Sequence, residues 1–275
     1  YRRLRNTLRF LLGNLAEFDD SERLDVSDMP ELDQWALHRV SELDQLVRQC
    51  CDDFDFHRLY VALGNFCTND LSAFYLDIRK DALYCDDCAS IRRRAARTVL
   101  DHVFSRLTAW LAPILCFTAE EAWRVRFPED DSVHLRQFPE TPGDWRNDAL
   151  AERWSKVRTL RRVVTGALEV ERREKRIGAS LQGHPLVHAP AEYLAAMDGL
   201  DAAEICITSS VTLNEGAVPD GAFMVEDVAD IGVVVELAEG GKCARCWQIL
   251  PEVVADDEDA VCQRCNTAVA AHVAA

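Results

Sequence analysis

The chain has no apolar run approaching the roughly 18 residues that a membrane span requires, so no transmembrane helix is expected. Its basic start, Tyr1-Arg2-Arg3-Leu4-Arg5, is not followed by an uninterrupted apolar stretch with a cleavage site, which argues against a secretory leader. A start without Met, already inside a helical pattern, suggests a fragment. Positive charge is short: 31 Lys and Arg face 47 Asp and Glu, for a net charge of −16, an unpromising average for a phosphate-binding protein. The seven His show no HxxxH or HxxEH spacing, and no GxGxxG, Walker-type loop or GxSxG elbow is present. Zincin, nucleotide-loop and serine-hydrolase chemistries therefore have no motif here, and no carboxylate pair is marked as catalytic.

What is present is mainly helical. Leu4, Leu8, Leu11, Leu12 and Leu15 fall on one helix face. A second helix from about Pro30 turns Leu32, Trp35, Ala36, Val40, Leu43 and Val47 inward, with Ser27 or Asp28 as its cap. A third spans Asp55 to Leu83, and a fourth spans Ser90 to Leu111. Thr118-Ala119-Glu120-Glu121 has capping-box spacing for a fifth, ending by Pro128. Short links between long amphipathic helices predict an antiparallel bundle. Pro128, Pro139, Pro142 and Gly143 mark a surface connection, followed by a helix from Asn147 to Arg176. Nine Lys or Arg occur between Arg153 and Arg176 against three acids, so local charge reverses the global average. Pro185–His188, Glu204–Ile207, Val211–Leu213 and Ile231–Leu237 read as strands around a short helix from Ala191 to Met197, giving a small α+β domain. The expected domains are 1–146 (helical bundle), 147–182 (long basic connecting helix), 183–239 (α+β junction domain) and 240–275 (metal-binding domain).

Eleven cysteines without a leader point to metal binding rather than to a disulfide framework. Cys243-Ala-Arg-Cys246 and Cys262-Gln-Arg-Cys265, fifteen residues apart, are two knuckles able to place four thiolates around one tetrahedral ion. Zinc is expected, with iron the alternative. Four protein ligands leave no open position, so the ion is structural. Lys242, Arg245 and Arg264 flank the thiolates and can offset their charge. Trp247 either packs on the knuckle or lies exposed for base stacking. Cys85-Asp-Asp-Cys88 lacks a second pair and reads as a loop, whereas Cys50, Cys51, Cys67 and Cys116 read as packing residues. Asp256-Asp257-Glu258-Asp259 reads as a solvated loop between the knuckles.

Several runs resemble, in order, the part of bacterial-type isoleucyl-tRNA synthetases that follows the catalytic domain. They are Tyr1–Leu15, Glu31–Leu37, Asn65–Cys67, Asp70–Asp77, Leu111–Ile114, Phe117–Trp123, Ser132–Leu135, Glu174–Leu181 and Lys242–Trp247 with the second knuckle. The resemblance covers nearly the whole chain. The Ala-Pro-Ile and Glu-Glu-Ala-Trp runs are shared with valyl and leucyl relatives, while the Cys-Trp knuckle joined to Ile-Gly-x-Ser-Leu points to the isoleucyl family. It implies an ATP- and magnesium-dependent ligase whose catalytic domain bears HIGH and KMSKS signatures, neither of which occurs here, so this chain alone is expected to be catalytically inactive. It further implies isoleucine tRNA as partner, a cytoplasmic monomer with no membrane, one zinc on Cys243, Cys246, Cys262 and Cys265, and Arg245 and Trp247 as anticodon contacts. Arg161 and Arg162 of the basic helix are the expected phosphate contacts. The family does not predict the Cys85–Cys88 pair, and Gln182-Gly183 stands where it has Glu-Ala. Two other readings remain: a zinc-finger fragment of a DNA-repair glycosylase, and a zinc-stapled scaffold for protein contacts.

Overall fold

The computed structural model describes residues 1–254, 257 and 259–274 and divides into two compact units, Tyr1–Asp148 and Ala149–Ala275. Of the acidic loop between the knuckles, Asp256 and Glu258 lie outside the described residues.

The first unit is a helical bundle. It comprises α1 (Arg2–Asn14), α2 (Glu31–Asp52), α3 (Phe56–Asn65), α4 (Leu76–Cys85), α5 (Ile91–Leu111) and α6 (Cys116–Arg126). The apolar faces expected for α1 and α2 are those that are buried: Leu4, Leu8 and Leu11, then Leu32, Trp35, Val40 and Val47. α5 is the central element, packed by α1, α2, α4 and α6. Its Val99, Leu100, Phe104, Leu107 and Leu111 are fully enclosed, each contributing roughly 1.5–3 kcal/mol of transfer free energy. α3 and α4 form the single rod expected from Asp55 to Leu83, but Phe66–Tyr75 between them is wound as a π-helix. This wider winding keeps Phe66, Asp70, Leu71, Phe74 and Tyr75 all inward.

Two expected caps are absent. α2 is preceded by Pro30 with no side-chain cap, so neither Ser27 nor Asp28 serves. α6 begins earlier than expected, after Leu115, because the Leu115 carbonyl accepts from the Ala119 N–H (2.9 Å). Thr118 is therefore inside the helix. Glu121, the acid of the expected box, accepts instead from the Arg5 guanidinium (2.6 and 3.1 Å), while Glu120 accepts from the Ser132 hydroxyl and the Val133 N–H, both at 2.9 Å.

The second unit holds most of α7 (Asp148–Arg173) and a four-stranded sheet of order β2-β1-β4-β3. The strands are β1 (Gly183–Ala189), β2 (Thr212–Glu215), β3 (Phe223–Val225) and β4 (Val228–Leu237). β1 and β2 are parallel, which requires a crossover, supplied by α8 (Ala191–Met197) and α9 (Ala202–Cys206). α9 corrects the strand expected at Glu204–Ile207. Asp201 caps it by accepting from the Glu204 N–H (3.0 Å), and two alanines open it. That local helix signal outweighs the apolar alternation. Among the described residues no helix is long and apolar enough to cross a membrane.

Candidate metal centre and nucleic-acid interface

The metal-site candidate is built on a hairpin, β5 (Gly241–Lys242) with β6 (Ile249–Leu250), and on α10 (Gln263–Ala274). Gly240 opens the hairpin at φ +119°, where a Cβ would lie 2.2 Å from the Leu250 carbonyl group, so only glycine fits. The hairpin loop carries Cys243 and Cys246, closed by the Cys243 N–H to Gln248 carbonyl bond (2.9 Å) and the Trp247 N–H to Cys243 carbonyl bond (3.0 Å). Cys262 immediately precedes α10, and Cys265 sits one turn inside it. The positive end of that helix favours thiolates. Ser209, in the segment before β2, ties the hairpin to the turn before β1, accepting from the Ile249 N–H (2.7 Å) and donating to the Leu181 carbonyl (2.6 Å).

All four Sγ atoms lie within 4.8 Å of one another, and Cys246 and Cys262 are 3.8 Å apart. Sulfurs around a tetrahedral Zn²⁺ with bonds of about 2.3 Å stand about 3.8 Å apart. A disulfide would need about 2.05 Å. The four side chains are buried, and the Cys262 N–H points at the Cys243 sulfur (3.3 Å). Burial alone would push the Cys243 thiol up, but the N–H groups of Cys262, Cys246 and Arg245 outweigh it and bring the thiol down to about 6. Cys265 goes the other way, to about 11, chiefly through burial, with Arg245 opposing. Burial also raises Cys246. Four ionised thiols are thus incompatible with each other unless a cation sits among them, and a dication reverses that balance. The donor set fits a structural zinc.

Arg245 reaches back to the Cys265 sulfur (3.7 Å), a position that offsets thiolate charge. Trp247 is 61% exposed, with the ammonium of Lys242, beside Cys243, 5.5 Å from its ring centroid. Its φ of +67° is a left-handed conformation that costs a bulky residue about 1–2 kcal/mol. The two arginines expected to touch phosphate lie on α7. Arg161 is partly buried and donates to the Ile205 carbonyl (2.7 Å), while Arg162 is exposed and pairs with exposed Asp227 (2.9 Å). Gly240, Ser209 and the start of α10 also build the site. Of these only the Gly-Gly break before the first knuckle carried a sequence signal.

The other cysteines form no comparable cluster among the described residues. Cys85 is buried at the end of α4, Cys88 is exposed, and Cys50 and Cys67 are core residues. Cys116, expected to pack, is exposed because α6 begins there and turns it outward.

With the bundle, the basic helix and the four-cysteine knuckle in place, comparison with known proteins is direct. Residues 33–187 match the family described as the anticodon-binding domain of tRNA ligase, and residues 240–267 match the zinc finger found in FPG and IleRS. The chain belongs to the anticodon-binding domain family of tRNA ligases. It is 54% identical over 259 residues to an isoleucine–tRNA ligase of Brucella abortus, which covers 94% of this chain and 26% of that protein. It is 52% identical over 272 residues to the Ruegeria pomeroyi isoleucine–tRNA ligase (98% and 28%), and 54% identical over 258 residues to that of Caulobacter vibrioides (93% and 26%). The chain thus spans about a quarter of the length of these relatives. The zinc finger by itself is shared with FPG, but the anticodon-binding match over the bundle and α7 disfavours the glycosylase reading.

Proposed function

We infer that this chain is the tRNA-binding C-terminal portion of an isoleucine–tRNA ligase, with isoleucine tRNA as its partner. The carrying observation is that one chain joins an anticodon-binding bundle to a four-cysteine knuckle presenting an exposed, conformationally strained tryptophan. Unstacked loop bases offer π-faces that a duplex conceals, so a ring held outward on a rigid knuckle suits an anticodon loop. Residues 1–146 would contact the stem side, 147–182 would connect, 183–239 would form the junction, and 240–275 would reach the loop. Cys243, Cys246, Cys262 and Cys265 would hold one zinc, which cross-links the tail and holds Trp247 in place. Binding of ATP and magnesium and the ligation itself would belong to a part of the ligase outside this chain, working in the cytoplasm as a monomer.

The test is tRNA affinity across ionic strengths, with isoleucine tRNA and an anticodon-swapped version. Trp247→Ala should weaken binding of isoleucine tRNA by about one to two powers of ten, for the loss of one stacked base worth about 1–3 kcal/mol. Arg162→Ala, whose partner Asp227 is exposed, should weaken both RNAs alike and flatten the salt dependence. Arg161→Ala should do the same but also loosen α9, because Arg161 holds the Ile205 carbonyl. If Trp247→Ala binds both RNAs as wild type does, anticodon reading by the knuckle is excluded.

A further inference from the structure

α7 ends in a Schellman turn: the Arg176 N–H bonds to the Glu171 carbonyl (2.9 Å) and the Lys175 N–H to the Arg172 carbonyl (3.1 Å). The turn places Lys175 at φ +61°, the left-handed position that such ends usually give to glycine. A lysine here keeps a strained backbone in exchange for a side chain, a pattern found where the side chain is used.

Below this turn lies a groove of about 780 Å³, within the size range of small-ligand sites, with Val170, Ile177 and Phe223 on its walls and residues 233–237 of β4 along it. β1 pairs with β4 on one side from Gly232 to Leu237, but β3 pairs on the other side only at Val228 and Val233. Residues 234–237 therefore border the groove as an open sheet edge, where alternate residues offer an N–H and a C=O without a partner strand. A second depression of about 630 Å³ adjoins the first through Arg176 and Ile177, and Arg172, Arg173 and Lys175 also line it. Arg172 pairs with Glu169 (2.5 Å), and Arg176 pairs with Glu171 and with Glu174 (3.1 Å). Arg173 and Lys175 have no ion-pair partner among the described residues.

A slot with an apolar wall at Val170, Ile177 and Phe223, also lined by Glu236 and by Glu171 and Glu174 in their pairs with Arg176, thus meets an open donor–acceptor edge and two cations without an ion pair. We propose that this groove binds a nucleotide, its base between Val170, Ile177 and Phe223 against the β4 edge and its phosphate on Arg173 and Lys175. Every base carries a donor beside an acceptor on its Watson–Crick edge, so an open strand can hold a base without selecting its identity. The nucleotide can be one unit of an RNA strand, in which case the inference rests on the tRNA-binding reading above, or a free nucleotide. An extended peptide is the weaker fit. Four open residues direct only about two toward a new strand.

The experiment uses the full chain with labelled methyl groups and follows Ile177 and Val235 by NMR during addition of isoleucine tRNA, AMP, or a short peptide of alternating glutamate and valine. tRNA affinity is measured in parallel for wild type and for Arg173→Ala combined with Lys175→Gly. The glycine relieves the left-handed strain, so the variant's folding is not at risk from that position. Methyl shifts with tRNA, together with about tenfold weaker binding by the variant and a log–log salt slope lower by about 0.7 for the phosphate given up, support the RNA form. Shifts with AMP that the variant abolishes, with tRNA affinity unchanged, support the free-nucleotide form. If tRNA binds wild type and variant equally and neither nucleotide moves the methyls, the groove proposal is overturned while the tRNA reading stands. If tRNA does not bind wild type at all, that reading fails, and the AMP arm alone decides the groove. Shifts with the peptide alone overturn the nucleotide in favour of strand addition.

Discussion

Replacing Asp33 by Ala should be among the most damaging single changes in the bundle. Asp33 is fully buried on α2 and accepts from Arg79 Nε (3.1 Å) and Nη2 (2.5 Å) and from the Tyr75 hydroxyl (2.7 Å). Arg79 is 1% exposed and Tyr75 not at all. The Tyr75 phenol is held well above its ordinary pKa, first by burial and then by the negative Asp33, so it stays a donor throughout the accessible pH range. Removing the carboxylate takes the counter-charge from a buried guanidinium, a loss of roughly 3–5 kcal/mol. The abandoned hydroxyl would separately cost about 1–3 kcal/mol, but the two donors share one acceptor, so the sum is an upper bound. Against a typical total of about 5–15 kcal/mol, this loss threatens the whole bundle. Because the chain has two compact units, urea unfolding should be read together with amide exchange of α2 and α4, which reports on the bundle alone. Tyr75→Phe should cost only about 1 kcal/mol. Since the pair is buried, added salt should change neither result much. A loss below about 1 kcal/mol for Asp33→Ala, with unchanged exchange in α2 and α4, would refute the reasoning.

Other expectations are as direct. Burial, followed by Arg106 and Arg23, lowers the His102 pKa from 6.5 to about 4. The unfolded chain therefore takes up the proton first, and stability should fall as pH drops from about 6.5 to 4, by roughly 3 kcal/mol at most. Urea midpoints across that window should show the slope, and His102→Gln should flatten it. Purification without chelator followed by metal analysis should find one zinc per chain. Cys243→Ser should lose it and loosen the tail while the bundle's exchange protection is retained, and global unfolding of that variant would contradict a purely local staple. Lys175→Gly alone should raise the melting temperature, since it relieves a left-handed strain worth about 1 kcal/mol.

Much of the helical part was legible because its information is local. A residue's place on a helix face depends on neighbours three and four positions away, so Leu4, Leu8 and Leu11, or Trp35, Val40 and Val47, announce their burial directly. The π-helical winding at Phe66–Tyr75 was not legible, since its apolar spacing is equally compatible with an ordinary helix. The caps failed for a related reason. Thr118 and Glu121 have the right spacing, but Glu121 is taken by the guanidinium of Arg5, more than a hundred residues away in sequence.

The site divides in the same way. Two CxxC pairs suffice to name the four thiols that converge, because thiolate chemistry and short spacing leave few alternatives. Whether the pairs converge depends on Gly240 closing a hairpin and on α10 beginning at the second pair, and these are contacts between distant residues. The same holds for the arginines. Of the nine cations from Arg153 to Arg176 the sequence singled out Arg161 and Arg162, yet folding commits Arg161 to a carbonyl and Arg162 and Arg176 to carboxylates, leaving Arg173 and Lys175 without an ion pair. Composition and periodicity decide which residues are apolar, charged or metal-binding. Which charge is left over, and which ring stays in water, is decided only when the tertiary fold assigns each group its partner.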